Sequence, residues 1–229
     1  MPDIKINLKA IFKKLEDKPY CIIKLSNDFP IYDKGSDLDI FCYDIDDVAR
    51  IILGCLQSQN VSVKIIKMPQ QLYIDIMEGG NINLRFDLYG SLPSYKNVMI
   101  KESFFSSVVE NTIEFDGGGC LVKVPNEVNE CILRYIEYHE CYAQRPDKIK
   151  HIDYLLEKTK NSGINLNVVL DKLHYYIQLP MVKENRLVMS NSFLKRTSYL
   201  FKSFKKISII FRAKGLKETV ILIYKKIKK

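Results

Sequence analysis

The chain has 229 residues, of which 47% are hydrophobic and 27% charged, a composition typical of a globular protein with one large or two small domains. It contains no run near the roughly 20 apolar residues that a membrane-spanning helix needs, so we do not expect an integral membrane protein. The six cysteines lack CxxC or Cys/His spacing, and the amphipathic N-terminal stretch lacks a signal-peptide pattern. We therefore expect free thiols in a cytoplasmic compartment.

The net charge of +8 is unevenly distributed along the chain. Residues 195–229 contain twelve Lys or Arg and one acid, which gives +11 and leaves −3 for residues 1–194. The basic residues alternate with Phe, Ile, Leu and Tyr at near-helical spacing, which suits an amphipathic helix on an anionic membrane surface, here the inner face of the membrane. A helix packed on the body with solvated lysines is an equal alternative, and RNA binding is a less favoured one.

The N-terminal half reads as alternating helices and strands. An apolar pattern predicts a helix over residues 4–16, followed by short strands at 20–25 and 38–43. Three aspartates then begin a helix, where they offset its dipole: Asp44, Asp46 and Asp47. The segments 61–67 and 70–77 are separated by so few residues that we expect paired antiparallel strands.

The segment INLRFDLY, residues 82–89, alternates cleanly between apolar and polar side chains. On a strand this alternation places Asn83, Arg85, Asp87 and Tyr89 on one face. Residues 111–115 and 120–124 predict a hairpin around the glycine-rich turn DGGG. This turn is not followed by a helix carrying Lys-Ser/Thr, so it is a poor match to a phosphate-binding loop.

From Pro125 the pattern changes to helices. Apolar stripes predict helices over residues 125–140, 147–158 and 166–179, and the three histidines lie among them, where we interpret them as packed or surface residues. This order predicts an α+β or α/β domain over residues 1–124. A helical domain over residues 125–194 and a basic amphipathic tail over residues 195–229 follow.

Two carboxylates in KGSDLDIFCY begin an otherwise apolar strand. Asp37 and Asp39 point to the same face, an unfavourable arrangement for like charges unless a positive group lies between them. Asp87 is a third acid on a polar strand face, and Asp75 is an alternative to it. Three carboxylates without a His or Cys partner favour Mg²⁺ or Mn²⁺ over Zn²⁺. Because Mg²⁺ completes its shell with phosphate oxygens, the pattern predicts a phosphate-bearing substrate.

GSDLDI together with a later acid resembles the signature of the nucleotidyltransferase superfamily whose prototype is DNA polymerase beta. The longer stretch YCIIKLSNDFPIYDKGSDLDIFCYD is similar to an uncharacterised group of that superfamily associated with bacterial surface-polysaccharide synthesis. This resemblance covers residues 19 to about 155, and the fold that it implies is a mixed sheet flanked by helices. The family's small-residue motif falls on Leu25-Ser26-Asn27, where Ser26 replaces the usual glycine and Asn27 its small companion. A non-glycine residue there restricts how closely the backbone can approach a triphosphate.

The resemblance implies the roles of individual residues. Asp37, Asp39 and Asp87 would be the catalytic metal ligands, with Asp87 holding a second metal ion or accepting the proton of the acceptor. Attack on the α-phosphorus would then expel pyrophosphate. Contacts to the phosphates would come from Ser26, Asn27, Gly35 and Ser36, and from Arg85 through its guanidinium. A salt bridge with one of the acids is an equal alternative for Arg85, and Lys24 and Lys34 are weaker candidates for phosphate binding.

The implied activity is the transfer of a nucleoside monophosphate from a nucleoside triphosphate to a small acceptor, such as a sugar or alcohol phosphate of surface-glycan synthesis. The implied cofactor is Mg²⁺ or Mn²⁺, and the partners are the nucleotide and the acceptor. The departure at Ser26 and Asn27 supports an alternative, a binding or regulatory protein that has kept the fold and has little or no turnover.

Overall fold

The structure is a computed structural model that describes residues 5–26, 28–95, 98–141, 151, 153–154, 157, 163 and 165–177. The predictions for Asn27, for most of the helix over 147–158 and for the tail over 195–229 lie outside these residues. The helices in chain order are α1 (Leu8–Lys14), α2 (Ile45–Ser58), α3 (Ser103–Glu110), α4 (Glu127–Cys141) and α5 (Leu166–Tyr176). The strands are β1 (Tyr20–Ile23), β2 (Ser36–Cys42), β3 (Ser62–Met68), β4 (Gln71–Glu78), β5 (Asn81–Tyr89), β6 (Thr112–Asp116) and β7 (Leu121–Pro125).

The start of α2 follows from its acidic residues. The Asp44 side chain caps the helix by accepting a hydrogen bond from the Asp47 N–H, and Asp46 and Asp47 occupy the first turn. Carboxylates at this end complement the helix dipole. The interpretation of these three aspartates as helix N-terminal acids is therefore confirmed.

Five strands form one mixed sheet in the order β1-β2-β5-β4-β3. β2 and β5 are parallel, whereas β1–β2, β5–β4 and β4–β3 are antiparallel. The predicted β3–β4 pair and the predicted β6–β7 hairpin are both present. The α+β class with a mixed sheet and flanking helices is thus confirmed for the described part of the chain. None of the described helices is both long and apolar enough to cross a membrane.

Apolar side chains cover both faces of β1 and β2. Ile22 and Ile40 belong to a core that also contains buried residues of α1 and α2. Ile23 and Phe41, one residue further along each strand, belong to a second core with buried residues of α3, α4 and α5. Since Asp39 lies two residues before Phe41 on β2, it shares the sheet face of the second core.

Candidate metal centre

The parallel pairing of β2 and β5 brings three acids together. Asp39 lies opposite Asp87 in the register, and Asp37 lies opposite Arg85. One carboxylate oxygen from each of Asp37, Asp39 and Asp87 lies within 4.8 Å of the other two. Asp87 is buried, Asp39 is partly buried and Asp37 is exposed, so the cluster runs from the sheet interior to solvent. The three acids named as metal ligands therefore lie close together, and their metal binding stays a prediction.

Burial raises the pKa of Asp87 to about 7. Repulsion from Asp39 and Asp37 also raises this pKa, whereas the Arg85 guanidinium lowers it. Its Oδ1 atom is buried without a hydrogen-bond partner and lies 3.7 Å from the Arg85 Nε atom. A buried carboxylate with an unsatisfied oxygen is costly unless it takes up a proton or a cation lies beside it. The donor set consists of oxygen atoms only, which fits Mg²⁺ or Mn²⁺.

Both oxygens of Asp39 have partners. The Lys24 Nζ atom lies 2.9 Å from Oδ2, and the Tyr89 hydroxyl donates a hydrogen bond of 3.3 Å to Oδ1. Lys24 also lies 3.6 Å from Glu137 Oε2 on α4. Burial lowers the pKa of Lys24, but the Asp39 and Glu137 carboxylates raise it above its usual value. A residue that the sequence marked as a weaker candidate thus supplies a positive charge directly beside the acids.

Arg85 uses its guanidinium to hold Asp75. Its Nε and Nη2 atoms donate to Asp75 Oδ1 and Oδ2 at 2.5 Å and 3.0 Å, and the group lies 5.0 Å from the centre of the Tyr73 ring. Asp75 is 2% exposed and lies opposite Arg85 in the β4–β5 register. The salt bridge, one of two interpretations for Arg85, is therefore the one observed, and Asp75 is not part of the carboxylate cluster.

A cleft of about 530 Å³ opens at the exposed end of the cluster. Ser26 and Ser36 line it beside Asp37 and Asp39, and their contact with phosphates stays a prediction. The Ser26 hydroxyl already accepts a hydrogen bond of 3.3 Å from the Asp28 N–H. Ser26 can therefore still donate its hydroxyl proton to a group in the cleft. Ser36 can contact such a group through its own hydroxyl.

The N–H groups of Gly35 and Ser36, two residues predicted to contact the phosphates, are both used within the protein. The Gly35 N–H donates to the Asn83 carbonyl at 2.7 Å, and the Ser36 N–H donates to the Asp33 carbonyl at 3.0 Å. Gly35 has a φ of +85°, which places it in the left-handed region where glycine is favoured. These two amides hold the loop before β2 in place, so they are not available to a phosphate group.

The opposite wall of the cleft includes residues that sequence reasoning did not assign to the site. Arg134 and Glu137 come from α4, and His151 lies with its Nε2 atom 3.6 Å from Glu137 Oε1. His151 is 6% exposed, in agreement with its interpretation as a packed histidine. Only the i, i+3 spacing of Arg134 and Glu137 could have indicated that they share a helix face.

The remaining lysine candidate lies elsewhere. Lys34 pairs with Glu78 at 2.5 Å and lines a different cavity, of about 410 Å³, that does not include the acidic cluster. The predicted phosphate contact of Lys34 therefore has no support from its position.

A scan against protein-family models returned no match, and a search of curated proteins found no significantly similar sequence. Inference about function therefore depends on the chemistry of this cleft and on the motifs in the sequence.

Proposed function

We propose that this protein is a Mg²⁺- or Mn²⁺-dependent nucleotidyltransferase. It would move a nucleoside monophosphate from a nucleoside triphosphate to a small acceptor, such as a sugar or alcohol phosphate used in surface-glycan synthesis. The observation that carries the proposal is the cluster of Asp37, Asp39 and Asp87, with one oxygen of each within 4.8 Å of the others, at the edge of an open cleft. The resemblance of GSDLDI to the nucleotidyltransferase signature adds support.

The roles of the side chains follow from their charge and position. Asp37 and Asp39 would hold a divalent cation, which would supply positive charge against the phosphates when bound. An oxygen of the acceptor would attack the α-phosphorus, and the bond from that phosphorus to pyrophosphate would break. Asp87, with its pKa of about 7, is suited either to accept the proton that the attacking oxygen of the acceptor carries near neutral pH or to bind a second cation. Ser26 and Ser36 would orient the phosphates from the cleft wall.

The size of the cleft and the charge of the body favour a small-molecule substrate. A volume of about 530 Å³ lies in the usual range of roughly 300–1,000 Å³ for small-molecule sites. Residues 1–194 carry a net charge of −3, whereas a surface that binds nucleic acid is usually basic. For residues 1–194 we therefore favour a nucleotide, held through a cation, as the anionic partner. A long nucleic acid is less favoured.

Calorimetric titration of the four nucleoside triphosphates, with and without Mg²⁺, tests the proposal. We expect binding of at least one nucleotide that requires the metal, and release of pyrophosphate when sugar or alcohol phosphates are added. Asp37→Asn and Asp39→Asn should abolish the metal-dependent binding. Asp46→Asn is a matched control, because Asp46 is an exposed acid on α2 that pairs with Lys67. Absence of metal-dependent binding in the wild type would overturn the proposal.

A second candidate function is nucleotide binding without turnover. It is favoured by the internal hydrogen bonds of the Gly35 and Ser36 N–H groups and by the unusual residues Ser26 and Asn27, because these features limit the backbone grip on a triphosphate. The same experiment separates the two candidates. Metal-dependent binding without pyrophosphate release, for any acceptor, would favour the binding protein.

A further inference from the structure

The ammonium group of Lys24 lies between the acidic cluster and helix α4. We propose that Lys24 is a displaceable counterion, which neutralises Asp39 when the site holds no metal and transfers to Glu137 when a divalent cation binds. The inference rests on the metal site of the proposed function and names a residue that controls how readily the site fills. Lys24 is thus a positioning residue and has no role in the chemical step itself.

The geometry places the ammonium group within reach of both carboxylates. Lys24 Nζ lies 2.9 Å from Asp39 Oδ2 and 3.6 Å from Glu137 Oε2. The first distance is that of a charge-assisted hydrogen bond, and the second is an ion pair without a hydrogen bond. The Lys24 side chain is about one third exposed and lines the cleft, so it has room to rotate. A small rotation of the side chain would move the ammonium group away from Asp39 and closer to Glu137.

A metal ion that approaches Asp39 meets a partner at each carboxylate oxygen. Oδ1 accepts from the Tyr89 hydroxyl and Oδ2 contacts the Lys24 ammonium group. The Tyr89 side chain makes this contact as a neutral phenol that donates its hydroxyl proton. Lys24 carries a full positive charge that repels a divalent cation at short range, and it is therefore the main competitor of the metal.

Glu137 provides a second carboxylate with which the displaced Lys24 ammonium group can pair. Without it, an ammonium group released from Asp39 would remain in a partly buried cleft without a partner, which is unfavourable. Arg85 cannot take the same part, because its guanidinium is held by two hydrogen bonds to Asp75. Among the described residues that contact the cluster, Lys24 is the cation with a second acid on the other wall of the cleft. Metal binding is thereby coupled to α4 through Glu137.

Nucleotide-free titration of Mn²⁺, followed by electron paramagnetic resonance, measures the competition directly. We expect Lys24→Met to bind Mn²⁺ about tenfold more tightly than the wild type, because a repelling charge has been removed. Lys24→Arg keeps the charge and should bind no more tightly than the wild type. Lys67→Met removes one positive charge from an exposed pair with Asp46 and should leave the affinity unchanged. Lys24→Gln serves as a second neutral variant if Lys24→Met unfolds.

A double-mutant cycle tests the part of Glu137. Glu137→Gln should weaken Mn²⁺ binding several-fold in the wild-type background and have little effect in the Lys24→Met background, because Glu137 acts through Lys24. If the wild type and both neutral Lys24 variants bind Mn²⁺ with the same affinity, the counterion role is wrong and the metal site stands. If none of the proteins binds Mn²⁺, the metal site and the proposed function are wrong as well.

Discussion

Asp87 couples folding to pH, because its carboxyl group is buried beside two other acids. An unfolded chain gives this group an ordinary pKa of about 3.8, whereas the folded protein raises it to about 7. Between these values the native state binds more protons than the unfolded state, so the stability of the metal-free protein falls as the pH rises. The contribution of Asp87 is fully present below the lower pKa and is lost as the pH passes through about 7.

We therefore expect the metal-free wild type to lose about 2–3 kcal/mol of unfolding free energy through Asp87 between pH 5 and pH 8. Asp87→Asn cannot titrate, so this part of the pH dependence should disappear while the contributions of all other groups remain. Urea denaturation of both proteins in EDTA at the two pH values measures the difference. Identical pH dependences for the wild type and the variant would contradict the raised pKa.

The three acids could be named from the sequence, and Arg85 and Lys24 could be marked as candidate cations, whereas the contacts between these residues could not be predicted. Alternation places Asp37 and Asp39 on one face of β2 and Asp87 on the polar face of β5. The parallel pairing that brings β2 beside β5 is not visible in either segment. Arg85 pairs with Asp75 because the β4–β5 register places these two residues directly opposite each other. That register could not be predicted from the sequence. The contact of Lys24 with Glu137 joins residues more than a hundred positions apart, and no local pattern encodes it.

At the scale of single elements, two glycines show opposite constraints. Gly117, in the turn between β6 and β7, packs so closely on Phe29 that an added Cβ would lie 2.5 Å from the Phe29 carbonyl oxygen. Gly54 lies in the middle of α2, and a Cβ there would meet nothing within 4 Å. Phe29 lines the cleft, so the hairpin supports one wall of the candidate site through this contact.

Gly117→Ala should therefore destabilise the protein by about 1–3 kcal/mol, because the backbone of the loop around Phe29 must shift to accept the methyl group. Gly54→Ala is the matched control and should stabilise it by about 0.5–1 kcal/mol, since alanine restricts the unfolded chain and favours the helix. Urea denaturation gives both values. Equal effects of the two substitutions would contradict the close packing of the hairpin turn on Phe29.

Most strands and the long helices follow from their apolar period, but α3 was not predicted. It spans only Ser103–Glu110, about two turns, and the residue before it, Glu102, makes no side-chain capping hydrogen bond. Its stability comes from packing, because Phe104 and Val108 are completely buried in the second core. A short helix stabilised by tertiary contacts leaves little local signal in the sequence.

On the scale of the whole molecule, the cleft lies where the sheet face of the second core continues beyond its apolar part. Along β2 the side chains on that face change from Phe41, which packs in the core, to Asp39 and Asp37, which line the cleft. Helix α4 contributes buried residues to the same core and Glu137 to the cleft wall. The core therefore fixes the distance between the acidic cluster and its opposite wall.

The charge of the whole molecule leads to a separate prediction about the membrane surface. Residues 195–229 carry +11 and the rest of the chain −3, so an anionic vesicle attracts one end of the chain and weakly repels the other. We expect the full chain to sediment with phosphatidylserine-containing vesicles and not with neutral ones. Because each basic residue near such a surface contributes about 1 kcal/mol, replacing four lysines of this segment by glutamine should weaken binding at least tenfold: Lys225, Lys226, Lys228 and Lys229.

The matched control replaces four exposed lysines of the body by glutamine, so that both variants have the same net charge. These lysines are Lys5, Lys13, Lys14 and Lys64. This variant should keep its affinity, because the attraction depends on where the charge lies and only secondarily on the total. Raising the salt concentration should release the wild type, since screening shortens the reach of the attraction. Equal loss of binding in the two variants would show that total charge governs attachment, and binding to neutral vesicles would show that apolar contacts do. In either case the position of the basic residues within the segment would not explain the attachment.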